Sequence, residues 1–191
     1  RHAASGLTFS DIQLSGQADG SGRTSLEGSF RTLEGAGYLE GLVDLDDFYS
    51  PSVQVDIGGE NLLLFDGPEL HLVTDPDIRL AWYEGALHVD GQIVIPSARV
   101  SPSVLPSPPV VESADVEIVA GGPPQNQRGG SQRTRIDVYG QLNVLLGDDV
   151  EVDLSVAEAD VAGQTRFDWS GPAVPVANGA FNLSGLVLAY G

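Results

Sequence analysis

Residues 77–102 read DIRLAWYEGALHVDGQIVIPSARVSP, and the spacing of their apolar side chains decides the fold class. Ile78, Leu80 and Trp82 alternate with polar or small residues, Glu84-Gly85 supplies a turn, and Leu87, Val89, Ile93 and Ile95 resume the alternation as far as Pro96. Successive side chains of a strand point to opposite faces, so the pattern predicts two paired strands with one apolar face and one wet face. Gly91 stands in step with the apolar positions, where a missing side chain lets the strand bend or another group approach the backbone.

The alternation extends in both directions. Upstream it picks out Leu7–Leu14 with a slip near Asp11, then Leu26 and Phe30, then Leu39, Val43 and Leu45, then Val53, Val55 and Ile57 before a turn at Gly58-Gly59, and finally Leu62–Phe65 and Leu70–Val73. Downstream, residues 101–113 hold four prolines, which cannot donate to a ladder, and read as an extended loop. Val116 and Ile118 suggest a short strand, and residues 121–133 contain no large apolar side chain and read as a disordered loop. From Thr134 the strand pattern returns: Ile136, Val138, Leu142 and Val144, a turn at Gly147-Asp148-Asp149, then Val150, Val152, Leu154 and Val156, then Gln164–Trp169, then Phe181, Leu183, Leu186 and Leu188. Helical periodicity is confined to two short windows, Asp44–Tyr49 and Ser155–Val161. The class is therefore all-β, with about 14 short strands stacked edge to edge.

Composition narrows the function. Of 191 residues, 27 are acidic and 9 basic, giving a net charge of −18, and every basic residue is Arg. A nucleic-acid-binding surface needs a cationic footprint, so nucleic acid is excluded as a partner. The acidity suits a solvated face that keeps an otherwise apolar sheet soluble. Without cysteine there is no disulfide, thiolate metal site or Cys nucleophile. Apolar runs such as Leu62–Phe65 fall far short of the roughly 20 residues of a membrane helix. The opening residues, Arg1 to Gly6, carry no signal-peptide pattern, so the chain reads as a single β segment, residues 1–191, of a longer protein.

A weak repeat, apolar-x-apolar-x-Gly-x-apolar-x-apolar, recurs at Gly91 (LHVDGQIVI) and Gly140 (IDVYGQLNV), with looser copies at Gly41 (GYLEGLVDL) and Gly185 (FNLSGLVLA). Repetition at this spacing points to a stacked array in which each unit covers its neighbour's edge. Leu87–Ser103, Leu105-Pro106, SADVEIV at 113–119, LNVLLGDD at 142–149 and GAFNLSGLVLAYG at 179–191, in that order, resemble the C-terminal domain of the TamB family, translocation and assembly modules of the Gram-negative envelope related to the AsmA-like, bridge-type lipid-transfer proteins. The resemblance covers residues 77–191, while residues 1–76 share only its style, and residues 157–163 are more acidic than it leads one to expect.

The resemblance implies an elongated open sheet curled lengthwise into a trough (a β-taco) with an apolar interior, no enzymatic activity and no cofactor. It implies phospholipid passage between the two membranes of the envelope and outer-membrane protein assembly beside a TamA-like Omp85 barrel. Periplasmic localisation and an N-terminal membrane anchor lying outside this sequence come with it. Leu80, Trp82, Leu87, Val89, Ile93, Ile95, Ile136, Val138, Leu142, Val144, Val152, Leu154, Phe181 and Leu183 are then the expected lining. From the pattern alone, the same residues more often fill the core of a closed sandwich or barrel.

Two other function classes remain open. An assembly factor would use free strand edges to pair with a barrel or its clients. A carbohydrate-active β-solenoid would need a selected acid pair such as Asp75 and Asp77. Asp44, Asp46 and Asp47, the pair Asp75 and Asp77, or Asp148 with Asp149, are candidates for Ca²⁺, but carboxylates in turns usually cap backbone groups and none fits a calcium loop. His2, His71 and His88 are isolated, so no metal site is expected. No nucleophile elbow, phosphate-binding loop or dinucleotide fingerprint stands in a supporting context.

Overall fold

A computed structural model describes residues 9–47, 49–102, 136–154, 157–172 and 174–188. They form ten strands: β1 (Ser10–Ala18), β2 (Arg23–Arg31), β3 (Ala36–Asp44), β4 (Ser52–Glu60), β5 (Leu62–Asp66), β6 (Leu70–Tyr83), β7 (Ala86–Val100), β8 (Asp137–Leu154), β9 (Ala157–Gly171) and β10 (Val176–Leu188). All belong to one sheet in the order β1-β2-β3-β4-β6-β7-β8-β9-β10. β5 pairs with β6 beyond β4, so β4 and β5 together act as one bent strand. Every pairing is antiparallel except β7 with β8, which is parallel. Because β1 and β10 lie at opposite ends of this order, the sheet is open: an all-β trough with no helix among the described residues.

The central pair forms as its alternation predicts. Leu80 lies opposite Val89 and Trp82 opposite Leu87, with Glu84 (φ 53°) and Gly85 (φ 76°) making the turn between β6 and β7. Several predicted breaks prove to be bulges inside longer strands. Pro96 does not end its strand but lies within β7, at a register shift shared with both neighbours. Gly147, Asp148 and Asp149 form no turn; they lie inside β8, where the shift opposite Pro96 falls. A Cβ on Gly147 would stand 2.9 Å from the Pro96 Cα, so glycine is what lets the two backbones pass.

The bulge has a consequence for phase. In β7 the apolar series changes from odd positions (87, 89, 93, 95) to even ones (98, 100), and one extra residue keeps both on the same face. Read locally, such a phase change looks like a strand end, which is one reason the pattern suggests more and shorter strands than the described residues form.

A second bend separates β4 from β5. Asn61 adopts a positive φ of 51°, and its N–H is donated to the Asp75 carboxylate. The neighbouring Pro76 has no N–H for the ladder, so the bend falls where the ladder is already interrupted. Gly58 and Gly59 are therefore strand residues of β4, not a turn. Neither helical window survives: Asp44 ends β3 and residues 46 and 47 form a bend, while Ala157–Val161 belong to β9. Ladder pairing on both sides overrides weak local helical preference. The readings of residues 103–135, including the Val116–Ile118 strand and the loop at 121–133, lie outside the described residues, as does most of the 101–113 loop.

Burial is shallow. Among described apolar residues only Leu62, Leu63, Val73, Ala98, Val150 and Ala159 are nearly sealed, and they cluster where β5 runs beside β6 and where β7, β8 and β9 pass their bulges. Thr32 pins one corner of this cluster. Its Oγ1 accepts the N–H groups of Gly35 and Leu63, each at 3.1 Å, tying the β2–β3 connection to β5.

Candidate functional site

Directly paired residues share a face, so the register sorts the sheet completely. One row runs Leu26–Gly41–Val55–Leu80–Val89–Gly140–Trp169 across β2, β3, β4, β6, β7, β8 and β9. The next runs Leu14–Gly28–Leu39–Ile57–Ile78–Gly91–Leu142–Phe167–Ala177 and spans all nine positions of the path. Leu87 pairs with Val138, Ile93 with Val144 and Ile95 with Leu146 on the same side, and Gly163 continues the face to Phe181. Beyond the bulges, Val100, Val152 and Ala159 carry it on. No ionisable residue falls on this side of the ladder in any of these rows.

Glycine and bulky residues meet in these rows. Leu14 leans towards Gly28 and Leu26 towards Gly41, at 3.2 Å and 3.4 Å from where a Cβ would stand, and the Phe30 ring occupies the space above Gly37. A side chain that can lie down over a neighbour's glycine leaves a low, continuous surface instead of separate pockets. Gly91 and Gly140 go further: with φ of 148° and 118°, each sits against the backbone of the strand beside it, Gly91 against Asp77 and Ile78 and Gly140 against Val89. These are backbone conformations that side-chain-bearing residues rarely adopt.

The opposite face carries the charge. Arg79 Nε lies 2.6 Å from Asp56, Arg23 Nε 2.8 Å from Asp44, Arg99 Nε 3.1 Å from Glu151 and Arg166 Nε 2.9 Å from Asp168. The Gln54 amide, followed by the Arg79 guanidinium, holds the Asp56 carboxyl below its ordinary range. Asp44 is lowered first by the Asp46 N–H and then by Arg23. Asp47 accepts the Tyr49 N–H. The Asp44–Asp47 group and Asp75 thus serve as turn and bend caps. Among the described residues no group of three or more His, Asp or Glu is arranged to hold a metal ion. His71 lies 3.4 Å from Asp66, and His88 stacks between Tyr83 and Tyr139 on the polar side. His2 lies outside the described residues.

Of the fourteen expected lining residues, thirteen lie in β6, β7, β8 and β10 at positions that the register puts on the uncharged face. Ile136 precedes β8 and is 51% exposed. The main contacts between strands are those of sheet neighbours, and most of the face's middle rows are only partly buried. Phe181 and Leu183 at one end are 55% and 71% exposed, and Leu14 at the other is 69% exposed. The expected lining leaves out Phe167 and Trp169, although both stand in the predicted Gln164–Trp169 strand. It also stops short of Leu26, Leu39, Val55 and Ile57 in the first half, although their alternation with polar residues is visible in the sequence.

A family model described as the TamB C-terminal domain matches residues 13–185. The chain belongs to the TamB C-terminal domain family. No solved structure matches the chain. The TamB match begins within β1 and takes in every strand through most of β10, so it is broader than the resemblance at residues 77–191. The first half earns its place through the face it shares with the second. Membership places the chain in a translocation and assembly module of the cell envelope, an assembly and transport family and not a family of enzymes. For a TamB domain the uncharged face is the feature that needs a function; on the polar side Asp44, Asp56, Asp75 and Asp168 are taken up by turns, bends or arginines.

Proposed function

We propose that this domain is a periplasmic segment of a bridge between the inner and outer membranes of a Gram-negative cell, and that its apolar face shields phospholipid acyl chains in transit. The supporting observation is a face whose paired rows hold no ionisable residue and cross all nine positions of the sheet. Each CH₂ kept from water is worth about 0.8 kcal/mol, so an acyl chain laid along such a surface gains many kcal/mol without any directional bond. Contact of that kind holds lipid against the protein yet lets it slide, and head groups remain in water at the open side. The expected lining from Leu80 to Leu183, extended by Phe167 and Trp169, is the proposed contact surface. In this reading the full-length protein is held in the inner membrane by an N-terminal helix and works with a TamA-like Omp85 barrel in outer-membrane protein (autotransporter) assembly.

Leu142 and Gln141 are neighbours on opposite faces of β8 and give a matched test. Phospholipid co-purifying with the domain, measured by mass spectrometry, should fall at least about fivefold in Leu142→Arg, since a buried cation loses its hydration. It should be unchanged in Gln141→Arg. Equal lipid in both variants, each with native far-UV circular dichroism, would refute the conduit.

A second reading draws on the outer edges of β1 and β10, which no described strand pairs and which would allow the domain to pair with a barrel or client strand. It predicts that Ser184→Pro in β10 abolishes partner binding and leaves lipid binding intact.

A further inference from the structure

Past its bulge, the end of the β8–β9 pairing places acid against acid. Glu151 lies directly opposite Asp160, and Asp153 directly opposite Glu158, on the polar face. Directly opposed like charges weaken an antiparallel ladder. The register shift between Leu146 and Glu151 separates these last rungs from the rest of β8–β9, so they do not share the regular ladder that runs from Val138 to Leu146.

The surroundings supply little compensation. From β7, Arg99 reaches Glu151 at 3.1 Å and the Ser101 hydroxyl stands 3.5 Å from Asp153. Beyond Arg99 come His71 of β6 and then Asp66 of β5, which lie against each other. Asp149, opposite Ser97, adds another negative charge beside the cluster. On the other flank β10 places Ser184 and Val187 opposite Asp160 and Glu158, and neither carries a charge. One arginine therefore faces four carboxylates.

We propose that this corner is a proton-operated clasp: the rungs joining residues 151–154 of β8 to 157–160 of β9 tighten when a carboxylate takes up a proton and loosen when all four are ionised. A protonated carboxyl can donate to its neighbour, which turns a repulsive contact into a hydrogen bond. The Glu158 carboxyl is displaced in the matching direction, held above its ordinary range first by its hydrogen bond with Glu151 and then by the charges of Glu151, Asp153 and Asp160. A group whose folded pKa is raised contributes stability below its unfolded value and loses it as pH rises through the folded one, so the clasp weakens towards neutral pH. The apolar side of these same rungs carries Val152, Leu154 and Ala159. The clasp thus governs how firmly the two strands carrying this end of the uncharged face are held together, whatever lies on it.

Amide hydrogen exchange by NMR tests this on the whole chain, with protection factors corrected for the intrinsic pH dependence of exchange. From pH 7.5 to pH 5, protection of residues 151–154 and 157–160 should rise about fivefold relative to the Val138–Leu146 rungs of the same β8–β9 pairing, where no acid lies opposite another. Glu158→Gln should raise clasp protection at pH 7.5 and flatten its pH response. A clasp that follows the Val138–Leu146 rungs across this range, or a Glu158→Gln variant with wild-type protection at pH 7.5, would overturn the proposal. Carboxyl carbon shifts give an independent readout: a Glu158 titration midpoint that Glu151→Gln leaves unchanged would overturn it equally.

Discussion

Gly140→Ala isolates the contribution of close backbone passage to the sheet. Gly140 has φ of 118°, and an added Cβ would fall on the Val89 carbonyl oxygen of β7. Holding an alanine in so sparsely populated a conformation costs about 1–3 kcal/mol. Forcing a methyl against a neighbouring strand costs about 1–3 kcal/mol more. Alanine also narrows the unfolded ensemble, which favours folding by about 0.4–1 kcal/mol, so the net loss is about 3 kcal/mol.

Gly85→Ala is the matched control. Its φ is 76° and nothing lies within 4 Å of the added methyl, so about 1 kcal/mol or less is expected. With a urea slope of about 2 kcal/mol/M, the midpoint should drop by about 1.5 M for Gly140→Ala and about 0.5 M or less for Gly85→Ala. Far-UV circular dichroism and tryptophan fluorescence both report the transition, since Trp169 lies directly opposite Gly140. If Gly140→Ala unfolds at the same urea concentration as Gly85→Ala, close passage at β7–β8 does not hold the sheet together, and glycine on the apolar face is not there for backbone approach.

Two further outcomes bear on the polar face and the bend. The Asp56 carboxyl should titrate below an ordinary aspartate; because its folded pKa is lowered, its contribution is present above the unfolded value and lost as pH falls through the folded one. Gln54→Ala should move its NMR midpoint upward by more than Arg79→Gln does, since the Gln54 amide is the larger cause, and the reverse order would refute that assignment. Asp75→Ala removes the acceptor of the Asn61 N–H and should cost about 1–2 kcal/mol in urea unfolding with little change in strand content, and a cost below about 0.3 kcal/mol would show that water replaces the carboxylate.

The strands around Trp82 and Leu87 are legible in the sequence because alternation, turn residues and strand ends agree there. Pro96 and Gly147 mislead for a physical reason. Proline and glycine end strands in isolation, but when a proline in β7 and a glycine in β8 face each other across a shared bulge, the sheet absorbs both. The alternation of β9 is hidden by alanine and acidic residues in Ala157–Asp160, which fit a helix locally and become a strand only with β8 and β10 on either side. Most of the candidate face can be read, since apolar alternation reports which residues share a side. What alternation cannot report is whether a second layer covers that side, and this separates a core from an exposed surface. The opposed acids of the clasp are equally invisible, because register across a bulge depends on how many extra residues each strand accommodates.

The parallel seam between β7 and β8 divides the history of the chain as well as its sheet. Val89 meets Gly140 across 140 − 89 = 51 positions of sequence, whereas the widest antiparallel pair, Val138 with Gly171, spans 171 − 138 = 33. Strands β1 to β7 can zip up from neighbouring turns, and β8 to β10 can do the same, but joining them requires closing the longest loop in the sheet. The chain should therefore assemble as two meanders that dock last along Leu87–Ile95. Until they do, each half presents an unsatisfied, apolar-sided edge, and the interval before docking is when this domain is most exposed to mispairing.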